Sequence, residues 1–236
     1  MSERFFIESP IGDAPTAELV EAEAHHLAKV MRAKCGDELL LFDGQGSEFT
    51  ARVIAISKAK VAVEILARKE VDRESPVDLT LAVALPKGDR QKFLIEKLVE
   101  LGVRRFIPLE TRRGVAEPGE AVLERLRRQV IEASKQCGRN RLMQIAEPLS
   151  MAHLVAQSPS EVVRLVAHPR GEACDIAAIS ASAPIVAAIG PEGGFTEEEV
   201  AIAEQAAWRV VSLGPRILRV ETAALAFAAV FRQVAR

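Results

Sequence analysis

The chain has 236 residues, enough for one large domain or two modest ones, and its formal net charge is -2 at pH 7. Nearly half of the residues (49%) are hydrophobic, yet no apolar run approaches the roughly 20 residues needed to cross a bilayer, and the N-terminus lacks the basic leader and apolar block of a secretion signal. Because Cys35, Cys137 and Cys174 stand alone, without Cys-x-x-Cys or His-x-x-x-His spacing, we expect no metal site and no disulfides, but a soluble cytoplasmic protein that does not contact membranes.

The first 72 residues are predicted to form a small barrel-like module. Strands are expected over residues 4–8, on both sides of the glycine-rich turn within 37–56, and over 60–66. One helix, from about Ala22 to Ala33, interrupts them, and its apolar side is expected to carry Leu27, Val30 and Met31. The charged, proline-containing segment 71–78 is typical of a linker, which gives one domain over 1–72 and another over 73–236.

After the linker, strands alternate with helices. The sequence predicts a buried strand over 79–85, a helix over 90–102 and a second strand over 104–110. Such a unit implies a parallel sheet. Three further strands are expected over 161–167, 183–189 and 208–213, each followed by a loop rich in glycine, proline or polar residues. Because ligands of open parallel sheets bind beyond the carboxyl ends of the strands, the three loops are predicted to share one pocket.

The long helix predicted over 120–138 has two distinct faces. One face is a buried stripe, formed by Leu123, Leu126, Val130, Ala133 and Cys137. Another face is basic, with Arg125, Arg128, Lys135 and Arg139. Residues 87–141 carry fourteen basic and eight acidic side chains. The basic row is therefore a candidate ridge for contacting phosphates, and a solvated helix face is the alternative.

A glycine-rich loop and a helix start follow one another in the segment IGPEGGFTEEE, residues 189–199. Thr196 is predicted to be the N-cap of a helix, with Glu199 completing a capping box and the two glutamates between them in the first turn. Glu192 has no such role.

The glycines of this loop, Gly190, Gly193 and Gly194, let a ligand lie directly against the main chain. A tight turn that merely needs glycine is the alternative. The loop matches neither a P-loop nor the dinucleotide-binding fingerprint.

Five motifs carry a family resemblance: HHLAKVMRAKCGDELLLFDGQG, LPKGDRQKFLIEKLVELGVRRFIPLETRR, EASKQCGRNRL, IGPEGGFTEEEV and LGPRILRVETA. Together they closely resemble the bacterial 16S ribosomal RNA uracil-N3 methyltransferases of the SPOUT superfamily, over nearly the whole chain. Gly114, where serine is frequent in the family, is a slight departure in the TRRG loop.

The resemblance implies an α/β protein with a PUA-like N-terminal RNA-binding barrel and a C-terminal SPOUT domain that has a parallel sheet and a trefoil knot. It also implies a homodimer with S-adenosylmethionine as methyl donor. Its substrate would be 16S ribosomal RNA or the small ribosomal subunit, methylated at N3 of one uridine, usually numbered 1498.

By the same resemblance, three loops would cradle the donor. The residues expected to contact it are His168, Gly171, Gly190, Glu192, Gly193, Gly194, Leu213, Gly214, Ile217, Leu218, Thr222 and Ala223. The residues expected to contact RNA are Arg4, Arg32, Lys87, Arg90, Arg112, Arg113, Arg139 and Arg141.

The catalytic candidates are Glu192 and Arg219. Glu192 is the first candidate for the base that removes the uracil N3 proton, and binding of donor or substrate hydroxyls is its alternative role. Arg219 can steady the uracil carbonyls or a phosphate. Glu221 and Thr222 can bind there as well, or can instead cap the final helix.

Two other functions stay open on sequence alone. A non-catalytic RNA-binding factor for ribosome assembly would keep the barrel and the basic ridge without binding the donor. A nicotinamide-dependent oxidoreductase is disfavoured, because the glycine fingerprint is missing.

Overall fold

The computed structural model of the protein describes residues 4–173 and 183–231. The chain divides into two compact units. The first comprises the residues up to Glu74 together with Ser134–Leu142, and the second comprises Ser75–Ala133 together with the residues from Met143 onward. Sequence periodicity does not predict that Ser134–Leu142 belongs to the first unit, because residues 134–137 continue the helical pattern of the segment before them.

A curled five-stranded sheet forms the first unit. Its strands are β1 (Arg4–Phe6), β2 (Thr16–Val20), β3 (Glu38–Phe42), β4 (Ser47–Ile56) and β5 (Lys60–Glu70). They are arranged in the order β1-β3-β4-β5-β2, with β1 parallel to β3 and the other pairs antiparallel. The predicted strands are confirmed, whereas β2 was not predicted. Phe5, Leu41, Phe49, Val61 and Val63 are among the buried residues of its core.

The helix predicted from Ala22 to Ala33 is two shorter pieces. Helix α1 (Glu21–His25) is followed by a π-helical segment, His26–Val30. Leu27 is buried as predicted, but Val30 and Met31 are 62% and 41% exposed, so their placement on the apolar side was wrong. A π-helical turn is wider than an α-helical turn, and it therefore rotates the residues that follow away from the face given by a 3.6-residue period.

Charged residues hold the returning segment of the first unit in place. Arg4 donates hydrogen bonds to Glu48 and to the side chain of Asn140, both at 2.6 Å. Arg73 also donates to Glu48. Burial alone would raise the pKa of Glu48, but its hydrogen bonds to the two arginines and their positive charge outweigh burial and lower it.

The second unit contains a parallel sheet, as predicted. Its strands are β6 (Leu79–Val83), β7 (Arg105–Glu110), β8 (Gln144–Ile145), β9 (Leu149–Ser150), β10 (Val163–Ala173), β11 (Ile185–Ile189) and β12 (Arg209–Ser212). The order is β12-β10-β11-β6-β7-β8, with β9 paired to β7, and each of these pairs is parallel within the described residues. Its helices are α2 (Arg90–Glu100), α3 (Glu120–Cys137) up to Ala133, α4 (Met151–Gln157), α5 (Glu197–Gln205) and α6 (Val220–Phe231). The last residues of the predicted final helix, 232–235, lie outside the described part of the chain.

Helix α3 confirms the buried stripe, whereas its basic row is exposed only in part, at Arg125 and Arg128. Leu123, Leu126, Val130 and Ala133 are buried, and Cys137 is half-buried. On the basic face, Arg125 donates to Gln91, and Lys135 pairs with Glu23. Arg139, just beyond the helix, is 4% exposed and pairs with Glu74 at 2.6 Å. Three of the four cations therefore bind protein groups.

Two features bear on membranes and metals. No described helix is long and apolar enough to cross a membrane. Within residues 4–173 and 183–231, no group of three or more His, Cys, Asp or Glu side chains is placed to hold a metal ion. Cys35 and Cys137 carry free thiols, and Cys174 lies outside the described residues.

Candidate functional site

Three neighbouring strand ends surround one cavity in the second unit. Strand β10 pairs in parallel with both β11 and β12, so the carboxyl ends of all three lie at the same edge of the sheet. A cavity of about 310 Å³ opens there, lined by residues from 167–170, 189–195 and 212–218. The structure thus brings together the three segments that the sequence predicted to share a pocket.

The first segment is a bulge rather than the loop predicted over 168–172. Strand β10 pairs Ala167 with Val211 and then pairs Glu172 with the same Val211, so that residues 168–171 are looped out. His168, Pro169 and Arg170 line the cavity. A bulge re-aims side chains without ending the strand, which explains why a loop-like composition lies within β10.

Gly171 closes this bulge against β12. A Cβ atom added to Gly171 would lie 2.6 Å from the backbone nitrogen and carbonyl carbon of Val211 and 2.7 Å from the carbonyl carbon of Val210. Gly171 lines a second cavity, of about 730 Å³, and not the first. The need for glycine at position 171 is therefore explained by its close packing against the neighbouring strand β12.

The second segment is a tight turn. The backbone N–H of Gly194 donates to the carbonyl of Pro191 at 2.8 Å, and Gly194 has a φ of +70°. Gly190 lies under the ring of Phe195, which a Cβ atom would approach to 3.1 Å. These two glycines answer different needs, since one permits a left-handed conformation and the other a close approach.

The helix that follows this turn starts as predicted. The capping box between Thr196 and Glu199 is present, with hydrogen bonds of 3.2 Å and 2.8 Å. Glu199 is 7% exposed, and its other oxygen accepts the backbone N–H of Arg112 at 2.9 Å. It therefore also fixes the loop after β7 beside the start of α5.

Arg113, expected at the RNA, contacts the turn over residues 190–194. Its guanidinium donates to the carbonyl oxygen of Gly193 at 2.8 Å, and it lines the cavity. A Cβ atom at Gly193 would approach the Cβ of Arg113 to 3.3 Å. This contact could not be predicted, because residues 113 and 193 are far apart in the chain.

The carboxylate of Glu192 lines the cavity and pairs with an arginine from α2. Its Oε1 lies 2.8 Å from Nη1 of Arg90, which is also 3.7 Å from Oε2 of Glu221. Glu221 lies in the first turn of α6 and is 7% exposed. One guanidinium is thus shared by two carboxylates.

The third segment is a loop between β12 and α6. Ser212 exchanges hydrogen bonds with Gly214, whose φ is +112°. Ile217 is 85% exposed at the cavity. Arg219 is exposed and does not line the cavity, and its carbonyl accepts the N–H of Ala223 at 2.9 Å.

Most residues expected at the donor line this cavity. Ten of the twelve do so: His168, Gly190, Glu192, Gly193, Gly194, Leu213, Gly214, Ile217, Leu218 and Ala223. The other two are Gly171 and Thr222, the latter exposed on α6. Reasoning from the sequence missed Ile189 and Ser212, whose signal was their position as the last residues of β11 and β12, and Phe195, which directly precedes the N-cap of α5.

The residues of the bulge are electrostatically coupled to α5. Arg170 forms an ion pair with Glu197. Burial, followed by the nearby charge of Arg170, lowers the pKa of His168, against the smaller opposing effect of Glu197 and Glu204. The backbone N–H of Arg170 donates to Nδ1 of His168 at 3.2 Å. The lowered pKa favours a neutral imidazole in the wall of the cavity at neutral pH.

The other residues expected at RNA have different surroundings. In the first unit, Arg32 and Arg141 are exposed, whereas the Arg4 side chain is 10% exposed in its ion pair and Arg139 is 4% exposed. In the second unit, the side chains of Lys87 and Arg112 are exposed.

Comparisons with known proteins agree on one family. A family model described as an RNA methyltransferase domain matches residues 73–232, and one described as an RNA methyltransferase PUA domain matches residues 20–66. The chain is similar to ribosomal RNA small subunit methyltransferase E of Bacillus subtilis, at 32% identity over 94% of this chain and 93% of that protein. It is also similar to the protein of the same name from Synechocystis, at 35% identity over 88% of this chain and 70% of that protein.

A solved structure extends the comparison to the fold. The chain superimposes on ribosomal RNA small subunit methyltransferase E from Neisseria gonorrhoeae, bound to S-adenosyl methionine, with a TM-score of 0.90 and 34% identity. The match covers 99% of this chain and 98% of that one.

Proposed function

The chain belongs to the ribosomal RNA small subunit methyltransferase E family, and from this membership we propose that it transfers the methyl group of S-adenosylmethionine to N3 of one uridine in 16S ribosomal RNA. It is an S-adenosylmethionine-dependent methyltransferase that acts on ribosomal RNA. The position of the uridine and the nitrogen that is methylated are parts of the proposal.

The observation that carries the proposal is the cavity at the three strand ends. Its volume of about 310 Å³ is in the range of small-molecule sites. Its walls suit an amphipathic nucleoside, since they combine apolar side chains such as Ile189 and Leu218 with glycine backbone and the carboxylate of Glu192. A donor could therefore lie against the main chain at Gly194 or Gly214, where a Cβ atom would meet nothing within 4 Å.

The donor supplies an electrophilic methyl group on a sulfonium sulfur. The protein has to align the uracil nitrogen with that methyl group, exclude water, and remove the N3 proton, because the nitrogen lone pair is unavailable until the proton leaves. In this proposal Glu192 accepts that proton, and its alternative task is to bind hydroxyls of the donor or the substrate. Arg219 would steady the uracil carbonyls only after a movement of its loop, since its exposed side chain does not line the cavity.

The test of the function is methyl transfer to RNA. Purified protein is expected to transfer a labelled methyl group from S-adenosylmethionine to small subunits or 16S RNA from cells that lack the enzyme, and mass spectrometry should find N3-methyluridine. Absence of transfer, where an active relative works on the same substrate, would contradict the proposal. Calorimetry with S-adenosylhomocysteine separates the enzyme from a non-catalytic assembly factor, which would give no heat.

Glu192→Gln tests the role of the carboxylate. If Glu192 is the base, turnover at saturating substrates falls by about 10²–10⁴ while donor affinity is kept. If it binds donor hydroxyls, the affinity for S-adenosylhomocysteine falls instead. Wild-type values of both turnover and affinity would exclude both roles for Glu192.

The remaining parts of the proposal rest on family membership. Residues 1–72 would act as the RNA-binding module and residues 73–236 as the methyltransferase domain. The protein would act in the cytoplasm as a homodimer, for which the highly exposed Ile217 is a candidate contact; analytical ultracentrifugation tests this. The trefoil knot stays a prediction.

A further inference from the structure

We propose that Arg90 is a positioning residue that fixes the Glu192 carboxylate at the cavity, and that Glu221 is buried so as to hold Arg90. The inference rests on the proposed methyl transfer, and it gives Arg90 a different task from the RNA contact expected from sequence. It concerns residues of the second unit only.

The geometry makes Arg90 the link between two carboxylates from different elements. Its Nη1 is 2.8 Å from Oε1 of Glu192, within hydrogen-bond distance, and 3.7 Å from Oε2 of Glu221. Glu192 belongs to the loop after β11, and Glu221 belongs to α6. The three side chains form a row that begins at the cavity, where Glu192 lies, and ends in the first turn of α6.

The burial of Glu221 needs an explanation. Its side chain is 9% exposed, and its Oε2 is buried without a hydrogen-bond partner in the described structure. The first turn of a helix favours a negative charge, which makes the carboxylate tolerable there. A buried carboxylate oxygen without a partner is nevertheless costly, and the guanidinium 3.7 Å away is the group that offsets this cost.

The backbone that carries Arg90 is itself held by buried polar groups. The neighbouring Gln91 is 5% exposed, and its side-chain amide donates to the carbonyl of Pro86 at 2.8 Å. Arg125 of α3 donates to the Gln91 side-chain oxygen at 2.6 Å. Helix α2 also packs against α6. The start of α2 is therefore fixed, and Arg90 can transmit that fixed position to Glu192.

Electrostatics argues against a phosphate site at Arg90. The guanidinium and its two carboxylates carry a formal net charge of -1, so a phosphate approaching the group meets overall repulsion. Binding a phosphate would also require Arg90 to leave Glu192. A side chain 36% exposed would make that move only at the expense of the cavity's own carboxylate.

The experiment measures two quantities in each variant. They are the turnover at saturating RNA and donor, followed in single-turnover mode for slow variants, and the dissociation constant of S-adenosylhomocysteine by calorimetry. The variants are Arg90→Met, Arg90→Lys, Glu221→Gln and Glu192→Gln, with the double variants of Arg90→Met. Lys92→Met is the matched control, because Lys92 lies on the same helix and its side chain is 64% exposed. Its ammonium group forms an ion pair with Glu96 at 3.6 Å.

Arg90→Met should lower whichever of the two quantities Glu192→Gln lowers, by about 10–100-fold. In the Glu192→Gln background it should change that quantity by no more than about twofold, because the residue through which it acts is gone. Arg90→Lys should restore part of the loss, since lysine keeps one charged contact. Glu221→Gln should lower the same quantity less and add nothing to Arg90→Met. Lys92→Met should match the wild type.

Two results would overturn the inference. One is an Arg90→Met enzyme with unchanged turnover and donor affinity but a higher KM for RNA and a flatter salt dependence, as a phosphate contact would give. The other is an equal loss with and without the Glu192 carboxylate. Should Arg90→Met fail to fold, Arg90→Lys and Glu221→Gln carry the same comparison. A wild-type protein with neither methyl transfer nor donor heat would contradict the proposed function itself.

Discussion

Replacing Gly171 with alanine should lower the midpoint of thermal unfolding by about 6–12 °C. The added Cβ would lie 2.6 Å from two backbone atoms of Val211 and 2.7 Å from one of Val210, closer than real Cβ contacts. Overpacking costs about 1–3 kcal/mol. Because the obstructing atoms belong to the backbone of β12 and cannot rotate away, we take the upper end, about 3 kcal/mol, and each kcal/mol shifts the midpoint by about 2–4 °C in a protein of this size.

The assay is thermal unfolding followed by circular dichroism, with Gly119→Ala as the matched control. A Cβ atom at Gly119 would meet no atom within 4 Å, and its backbone is not in the left-handed region. Gly119 precedes α3, and its carbonyl accepts the N–H of Leu123, so alanine there should lower the midpoint slightly, by about 1–3 °C, because alanine is a poorer N-cap than glycine. The difference between the two variants isolates the contact with β12.

Equal midpoints for the two variants would refute this reasoning. If Gly171→Ala instead weakened S-adenosylhomocysteine binding without loss of stability, the residue would return to the donor-contacting role expected from sequence. A fall in both would fit a bulge whose shape also places His168 and Arg170 in the cavity wall.

Two further predictions test other contacts. Glu48→Gln should destabilise the protein by about 3 kcal/mol at pH 7, because it leaves Arg4 and Arg73 without their shared carboxylate. Since the folded-state pKa of Glu48 is lowered, its contribution to the free energy of unfolding is complete above its ordinary pKa of 4.5 and is lost as the pH falls through the folded value. Urea unfolding measured against pH should show the stabilities of the wild type and the variant converging below pH 4.5. A difference that stays constant with pH would contradict this. Arg113→Met should weaken S-adenosylhomocysteine binding about fivefold in calorimetry, because it removes a hydrogen bond worth about 1 kcal/mol. Arg112→Met is the control and should leave binding unchanged, because Glu199 holds the backbone of Arg112 and not its side chain. Equal effects of the two substitutions would show that a general loss of positive charge is the cause.

The position of the site could be predicted from the sequence because it depends on local signals. Apolar runs give the strands, a parallel sheet brings their carboxyl ends to one edge, and a capping box marks where α5 begins at Thr196. The looped-out residues 168–171 could not be predicted, since a bulge depends on the register with β12. The π-helical segment after His25 could not be predicted either, because its sequence also fits the apolar pattern of a regular α-helix.

The pairing of charges was the least predictable feature, because it depends on contacts between distant parts of the chain. Arg4 and Glu48, or Arg139 and Glu74, are separated by tens of residues and meet only in the folded unit. A basic row on a helix therefore indicates a polyanion site only once its partners are known. In α3 and the turn after it, those partners are mostly protein groups.

Three glutamates after Gly190 have different partners in the fold. Glu199 is occupied by the capping box and by the N–H of Arg112, and Glu197 pairs with Arg170. Glu192 has no backbone to cap, and its partner is a side chain that reaches it from α2.

Arg113 and Arg90 both hold the turn over residues 190–194, one through the carbonyl of Gly193 and the other through the carboxylate of Glu192. An RNA phosphate that bound either guanidinium would have to replace a contact made to that turn, and so would loosen the wall of the cavity at the moment of reaction. Exposed cations whose side chains do not hold this turn, such as Lys87 and Arg112, could bind phosphate without disturbing the wall of the cavity. Under the proposed function, affinity for RNA would depend on the exposed cations, whereas the geometry of the cavity would depend on Arg90 and Arg113.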